Sequence, residues 1–415
     1  MKNRFIVMMI LLITVAHLNG QNLISLYKNG NIKLVEETNY GSKNDWNSLL
    51  FDYNLEQYGK ETGKMKRIVV APDGSIFMSH KSKYEIWKFD KNGNFVLKFG
   101  KKGSGKDQFP FLPTVEGIMD GKYIFTSDCQ GRIKFFDLNG KFVKMIQLKY
   151  MPLEIIPLAN SKLAILGYTN NKSIVVIKDF NTETEKRILT ENSSSIEGSM
   201  SIELPGGNKM YFQPPYSQTS SEKICIATAK NGNLLVALTS TGVVTEYSKD
   251  GKKIQEFNLN IPPLKITEED INDYYQTTIK GWTKFEENLM KMKKYSKDEL
   301  EKIKKQYNSA ALSFKEKKNY PDHLPFFTSL IVDSEGNLIV FEYTKTDQSN
   351  KFRAYTFDPK GKFVCTSSFQ SDTYELNFEP NSMAFYQGFI YGVVFKKQCK
   401  DKCLRLMKFK MTISH

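Results

Sequence analysis

The residues best suited to chemistry are four polar side chains at corresponding ends of predicted strands, His80, Asp128, Tyr168 and Tyr343, with Arg132 and Glu342 close by. Carboxylates, an imidazole, a guanidinium and phenols that converge can bind a sugar or a peptide terminus, and the carboxylates can ligate Ca²⁺. The alternative is that these are ordinary polar residues at strand ends. The six candidates are His80, Asp128, Arg132, Tyr168, Glu342 and Tyr343.

Histidine is too scarce for several common catalytic sites. Beyond residue 20 the chain keeps only His80, His323 and the terminal His415. A zinc site of several histidines is therefore not expected, and a Ser-His-Asp hydrolase would have to use His80 or His323. No nucleophile–base pair or ligand-spaced cluster stands out, so the sequence assigns no catalytic residue, metal ligand or cofactor. Ca²⁺ has no support beyond the carboxylates named above.

A glycine-rich segment, Gly100–Lys106, matches most of a phosphate-binding loop. Asp107 stands where such a loop needs a hydroxyl for Mg²⁺, and the following Gln-Phe-Pro is a poor start for the helix that would hold the phosphates. We therefore expect no nucleotide binding there.

The elements that position these residues belong to a repeat. Two stretches, Arg67–Gly100 and Glu116–Leu148, each contain four short runs rich in Val, Ile, Phe and Tyr. Asp-Gly, Asn-Gly and similar dipeptides, which favour tight turns, separate the runs. A four-stranded antiparallel unit that recurs every 40–50 residues or so is typical of a β-propeller blade.

Further copies lie near residues 152–189, 223–259 and 327–369, and a last copy near the C-terminus has only three runs. Its missing strand can come from Leu23–Glu37, which would close the ring and remove a sheet edge. The sequence thus predicts an all-β fold, a six-bladed β-propeller, with five or seven blades as alternatives.

The predicted turns divide between two faces. The turns between strands 1 and 2 and between strands 3 and 4 are short and lie on one face. The opposite face, which we call the elaborated face, carries the blade-to-blade connections and three long segments, 101–113, 190–222 and 260–326. Loops of more than about 12–15 residues are usually functional or disordered, so we expect a ligand on this face. The six candidate residues are expected to line the mouth of the axial channel there.

The insertion at residues 260–326 is predicted to be mainly helical, as a hairpin between blades 4 and 5. Thr267 and Ser296 begin capping-box patterns, and apolar residues recur at helical spacing after each. The helices are expected at 267–294 and 296–318. The hairpin can be a lid or docking element, or a decoration packed on the rim.

The first 20 residues have the pattern of a secretory signal peptide, with Lys2 and Arg4 before the apolar run Phe5–Ala16. An uncleaved membrane anchor is the alternative. Residues 21–415 would then form the propeller, and no later apolar run approaches membrane length. We expect a secreted or periplasmic protein without a membrane span after cleavage.

Charge and cysteine content add two expectations. The net charge of +14 favours acidic partners, or it reflects a solvated basic surface; export argues against nucleic acid. Cys129, Cys225 and Cys365 fall in strand-like runs and are expected to be buried. Cys399 and Cys403 flank a predicted hairpin turn, where they can form a disulfide or a metal pair.

Several segments resemble a known family. The stretch from Asp73 to Pro113, with its DG turn, EIWKFD, KNGNFVLKFG and GKKGSGKDQFPFLP, resembles a blade and connector of the NHL-repeat type. YPDHLPFFTSLIVDSEGNLIVFEY, from Tyr320, resembles the blade start that follows a helical insertion in exported propellers of the Bacteroidetes type. The resemblance implies an NHL- or TolB-like six-bladed propeller outside the cytoplasm, and it transfers no catalytic residue.

Two functions are consistent with these observations. The first is an exported, non-enzymatic binding or scaffold propeller that presents its long loops to a protein or glycan. The second is a hydrolase or lyase at the mouth of the axial channel, with a metal ion held by carboxylates. The missing nucleophile–base pair favours the first. The sequence does not indicate an oligomeric state.

Overall fold

The computed structural model describes residues 22–46, 67–80, 83–192, 200–205, 207, 209–212, 223–291, 295–344, 350–378, 382–398 and 404–414. Six four-stranded units dominate this part of the chain, and neighbouring strands within each unit run antiparallel. The predicted six-bladed β-propeller is therefore confirmed.

The first five blades each use four consecutive strands. Blade 1 contains β2 (Ile68–Val70), β3 (Ile76–His80), β4 (Glu85–Phe89) and β5 (Phe95–Phe99). Blade 2 contains β6 (Thr114–Met119), β7 (Tyr123–Ser127), β8 (Arg132–Asp137) and β9 (Phe142–Gln147). Blade 3 contains β10 (Met151–Leu158), β11 (Lys162–Thr169), β12 (Lys172–Asp179) and β13 (Glu185–Asn192).

Two long connections separate the next blades. A small hairpin of β14 (Met200–Glu203) and β15 (Lys209–Phe212) precedes blade 4. Blade 4 contains β16 (Ile224–Thr228), β17 (Leu234–Leu238), β18 (Val243–Tyr247) and β19 (Lys253–Asn258). Blade 5 contains β20 (Phe327–Val332), β21 (Leu338–Glu342), β22 (Lys351–Phe357) and β23 (Phe363–Gln370).

Blade 6 combines strands from the two ends of the chain. It contains β25 (Met383–Tyr386), β26 (Phe389–Lys396), β27 (Leu404–Ile413) and, outermost, β1 (Asn31–Glu36), while the short β24 (Tyr374–Glu375) also pairs with β26. The predicted closure is confirmed, since Ile32 lies opposite Ile413. β1 also pairs in parallel with β23, which ties blade 5 to blade 6.

The strand predicted from Leu23 begins later than expected. Leu23–Lys28 forms a helix, α1, which Asn22 caps by accepting a hydrogen bond from the Ser25 backbone N–H. The reason is tertiary: Leu23, Leu26 and Tyr27 are buried in the cluster between blades 5 and 6. The Tyr27 hydroxyl donates to Asp333 Oδ2 at 3.1 Å, which fixes the helix to blade 5.

Apolar clusters fill all six interfaces between neighbouring blades. The cluster between blades 6 and 1 joins Trp87 and Phe89 of β4 to Leu406 of β27, so the ring is closed by packing as well as by hydrogen bonds. Burying one such side chain contributes about 1.5–3 kcal/mol.

A repeated turn joins the third and fourth strands and packs against the preceding blade. An aspartate Oδ1 accepts two backbone N–H groups at 2.9 Å in three such turns, those of Asp90, Asp137 and Asp358. Each turn has a glycine with positive φ, +83° at Gly140. A Cβ on Gly140 would lie 2.6 Å from the Phe99 ring of blade 1, so the position also requires a close approach.

The insertion before blade 5 is helical. It contains α2 (Glu268–Lys291), α3 (Lys297–Leu312) and two 3₁₀ turns (Ser313–Lys315 and Lys317–Asn319). The capping box at Ser296 is present, and Thr267 forms the equivalent pair with Asp270. Ile202 of β14 packs into the same apolar cluster as Trp282 and Ile303, so the β14–β15 hairpin and the helices share one core.

Candidate ligand-binding channel

The innermost strands of the six blades enclose one axial cavity. Residues of β2, β6, β10, β16, β20 and β25 line it, and its volume is about 350 Å³. Each of these strands is the first of its blade, so one edge has no neighbour in its own sheet. Backbone N–H and C=O groups on such edges need a partner, which water or a ligand can provide. The cavity lies within the size range of ligand sites.

Three charged residues form an ion cluster on the cavity wall. Arg67, just before β2, pairs with Glu116 of β6, and its other terminal nitrogen lies 3.7 Å from Glu154 Oε1 of β10. The guanidinium also donates to the Ile155 carbonyl at 3.1 Å. The three side chains are only 10%, 3% and 12% exposed, so the cluster is largely removed from water.

Glu116 is the central member of this cluster. Its Oε1 accepts a hydrogen bond from the Ser127 hydroxyl at 2.5 Å, and its Oε2 accepts the Ile155 backbone N–H at 3.3 Å. Hydrogen bonds and an ion pair of this kind offset the desolvation of a buried carboxylate. The carboxylate is therefore held in one orientation.

Irregular strand pairing accompanies the cluster. The register of the innermost strand shifts at Glu116 in β6, at Leu153 in β10 and at Thr328 in β20. A bulge inserts one residue and turns nearby side chains in a new direction, and bulges are frequent beside functional sites. Here two of the three shifts lie at or beside the carboxylates of the ion cluster.

A cysteine thiol lies on the neighbouring part of the wall. Cys225 of β16 is buried, and its Sγ lies 3.9 Å from the Thr328 carbonyl oxygen. Burial and, to a smaller extent, the Glu154 carboxylate raise the pKa of the Cys225 thiol to about 12, against a lowering effect of Lys223. A thiol with so high a pKa is almost entirely protonated near neutral pH and is a poor nucleophile.

The ion cluster lies at the end of the cavity nearest the elaborated face. The chain enters every innermost strand from the blade-to-blade connections, and Arg67, Glu116 and Glu154 precede the apolar lining residues of their own strands. Deeper in the channel the walls are mainly apolar. Their side chains include Val69, Ile118, Ile156, Ile226, Ile331 and Val332.

Exposed apolar side chains stand at the beginning of two adjacent innermost strands. Phe111 and Leu112 lead into β6, and Met151 and Leu153 begin β10, with exposures between 37% and 51%. The Arg132 guanidinium lies 5.3 Å from the Phe111 ring centre. A site with an ion cluster on one side of its mouth, an apolar interior and apolar residues outside can hold an amphiphilic group.

None of the six residues predicted from the sequence is among those lining this cavity. Their described contacts lie mostly within their own blade. Asp128 and Arg132 form an ion pair at 2.8 Å, and Glu342 accepts a hydrogen bond from Tyr355 at 2.9 Å. The role of the six in ligand binding stays a prediction.

The remaining predicted residues are also held locally. His80 is buried, with its ring centre 4.4 Å from that of Trp87, and the Tyr168 hydroxyl donates to Asn171 at 3.2 Å. Tyr343 packs against the cluster at the base of the helical insertion. The ring of second-strand ends thus lies one strand farther from the axis than the ion cluster.

The ion cluster was not predicted from the sequence, although a signal was present. Arg67, Glu116 and Glu154 are ionisable residues within or beside the apolar runs RIVV, TVEGIM and PLEII. An ionisable residue at the same place in three innermost strands indicates a shared environment at the axis. The pairing between the three could not be read from the chain, because 49 residues separate Arg67 from Glu116 and 39 separate Glu116 from Ile155.

The cysteine predictions have different outcomes. Cys225 is buried as expected and Cys365 is half-buried, but Cys129 is exposed, because it lies in the turn between β7 and β8. Cys399 and Cys403 lie outside the described residues, so their pairing stays a prediction. Across the described ranges, no group of three or more His, Cys, Asp or Glu side chains has a geometry that could hold a metal ion. None of the described helices is long and apolar enough to cross a bilayer.

The comparisons agree with this architecture. Residues 59–239 match the family model DUF5128, described as a 6-bladed beta-propeller. A DUF4221 family member from Bacteroides vulgatus is similar in structure, with a TM-score of 0.50 and 12% identity over 93% of this chain and 100% of the other. At this identity the likeness shows the fold alone. The chain is a six-bladed β-propeller.

Two other solved structures are similar at lower scores, which carry no argument about function. Virginiamycin B lyase from Staphylococcus aureus has a TM-score of 0.39 and 9% identity over 86% of this chain and 97% of the other. A candidate exported protein of Bacteroides fragilis has a TM-score of 0.44 and 13% identity over 85% and 90%. A search of curated protein sequences found no match.

Proposed function

We propose that this protein is an exported, non-enzymatic binding propeller that receives a protein or glycan ligand at the mouth of its axial channel. One observation carries the proposal. All six innermost strands line a single cavity, and the charged residues on its described wall lie at the end facing the long connections. Export is inferred from the signal-peptide pattern in residues 1–20.

The state of the lining residues supports binding over turnover. Arg67, Glu116 and Glu154 are engaged with one another, which fixes polar groups for recognition. Cys225, the thiol on the wall, has a raised pKa of about 12 and is therefore not activated as a nucleophile.

The test is to fill the channel and measure binding. Ile118 is a half-buried lining residue, so Ile118→Trp should obstruct the apolar interior. Val143 on β9 is not a lining residue and is 41% exposed, so Val143→Trp is the matched control. Both variants and the wild-type protein would be titrated with a panel of peptides and oligosaccharides by calorimetry.

We expect at least one ligand class to bind the wild-type protein and Val143→Trp, with binding lost in Ile118→Trp. Mass spectrometry of each ligand after incubation measures turnover. A panel in which every binder also binds Ile118→Trp would contradict the channel as the site. Chemical conversion of a bound ligand would favour the hydrolase or lyase.

A further inference from the structure

The axial cavity has two layers of different chemistry. On the side formed by blades 1 to 3 the outer layer is the ion cluster, and the inner layer is mainly apolar. Two carboxylates and one guanidinium leave a net negative charge on the described charged wall of the cavity. A ligand that is complementary to both layers carries a positive group next to an apolar group.

Three charged groups outside the cavity lining modify this balance only weakly. Asp128 and Arg132 compensate each other in an ion pair at 2.8 Å. Lys223, which acts on Cys225, is exposed to solvent, so its charge is screened more strongly than the buried ones. The net negative charge of the ion cluster is buried and is therefore screened less than the exposed charge of Lys223.

We infer that the channel binds the amino terminus of a peptide whose first side chain is apolar, an inference that rests on the proposed function. The first side chain enters the apolar layer between Ile118, Ile156 and Ile226. The terminal ammonium lies in the outer layer beside the Glu154 carboxylate, where its three N–H donors also reach backbone carbonyls of the strand edges. The peptide then leaves the mouth over Met151, Leu153 and Phe111.

Two features favour this ligand over a neutral sugar. The inner walls offer apolar side chains, with few side-chain hydrogen-bond partners for a ring of hydroxyl groups. The exposed residues beside the mouth are also mainly aliphatic and extend along one side, as a continuing chain requires. Burial of these aliphatic side chains under a bound peptide would stabilise the complex.

The experiment compares two probes that differ only at the amino terminus. A pentapeptide beginning with leucine, labelled with a fluorophore at its carboxyl end, is titrated with the purified protein, and so is its N-acetylated form. We expect acetylation to weaken binding at least tenfold. Glu154→Gln should weaken binding of the free-amine peptide to a similar extent and leave the acetylated peptide unaffected. Glu256→Gln, an exposed carboxylate on β19, is the control and should bind like the wild-type protein.

Equal affinity for the two peptides would overturn the inference, as would no binding of the free-amine peptide at millimolar concentration. The probe comparison needs no variant, so it remains decisive if Glu154→Gln does not fold. If a neutral oligosaccharide binds the wild-type protein and Ile118→Trp abolishes that binding, a peptide amino terminus is refuted as the ligand. The channel would then remain the binding site. Peptide binding that Ile118→Trp leaves intact would contradict the proposed function itself.

Discussion

Removing the positive charge of the ion cluster should destabilise the protein strongly. Arg67→Met keeps much of the side-chain volume but leaves Glu116 and Glu154 without the guanidinium that pairs with both. Breaking a buried ion pair by removing one partner costs about 3–5 kcal/mol, because the other charge stays buried. The 3% exposure of the Glu116 side chain places this site in that class.

A double-mutant cycle separates the charge effect from lost packing. Glu116→Gln retains a hydrogen-bonding side chain of similar shape and removes one of the two buried negative charges. In the Arg67→Met/Glu116→Gln protein, the destabilisation should therefore be smaller than the sum of the two single effects. The expected coupling is on the order of 1–3 kcal/mol, the range for residues in one hydrogen-bonded network.

The assay is urea denaturation followed by tryptophan fluorescence, with the free energy of unfolding taken by linear extrapolation. Lys253→Met, which breaks the exposed ion pair with Glu256 on β19, is the control and should leave the denaturation midpoint unchanged. A loss below about 1 kcal/mol in Arg67→Met, or additive effects in the cycle, would refute the reasoning that these charges are buried and mutually dependent.

Three further predictions concern the blade interfaces, the thiols and alkaline pH. Gly140→Ala should lower the free energy of unfolding by about 2–5 kcal/mol, since a strained left-handed residue costs roughly 1–2 kcal/mol and overpacking about 1–3 kcal/mol. Gly388 has φ of +78° and no atom within 4 Å of an added Cβ, so Gly388→Ala should cost only the strain of the left-handed backbone. Equal losses of unfolding free energy for the two variants in urea denaturation would contradict close blade packing. Maleimide at pH 7.5 should modify the exposed Cys129 quickly and Cys225 only after unfolding. Peptide mass spectrometry measures the order, and faster modification of Cys225 would contradict its burial. Burial and a hydrogen bond to Glu342 raise the pKa of Tyr355 from 10.0 to about 12. The contribution of this shift to stability is therefore complete below pH 10 and is lost as the pH rises through 12. Urea denaturation curves at alkaline pH should show a smaller loss of stability for Tyr355→Phe than for the wild-type protein.

The blade architecture could be predicted from the sequence because its signals are local. Asp137 and Gly140 stand at fixed places in a tight turn, and apolar runs on either side supply the strands. The closing strand was also predictable, since the last repeat has too few runs. The helix Leu23–Lys28 was not, because it owes its position to burial against blade 5, more than 300 residues away in the chain.

The candidate site was harder to predict, because its members meet only at the axis of the ring. The residues predicted from the sequence, such as Asp128 and Glu342, stand at strand ends, where their polarity is conspicuous in the chain. In the structure these residues are engaged within their own blades. Glu116 and Glu154 look like single exceptions in apolar strands, and the bulges that accompany them have no strong sequence signal.

The elaborated face is a composite surface, because two of its long connections depend on each other. Ile202 of the β14–β15 hairpin is fully buried against Trp282 of α2 and Ile303 of α3, and the Glu203 backbone N–H donates to Gln306 at 2.9 Å. Each connection alone would expose part of this shared core to water, so neither is expected to keep its structure without the other. The base of the helical insertion in turn contacts blade 5 of the propeller, where Tyr343 follows β21 and packs beside Ile266 and Leu324. A ligand that contacts either connection therefore contacts one packed unit, and this unit stands on the same face as the charged mouth of the channel.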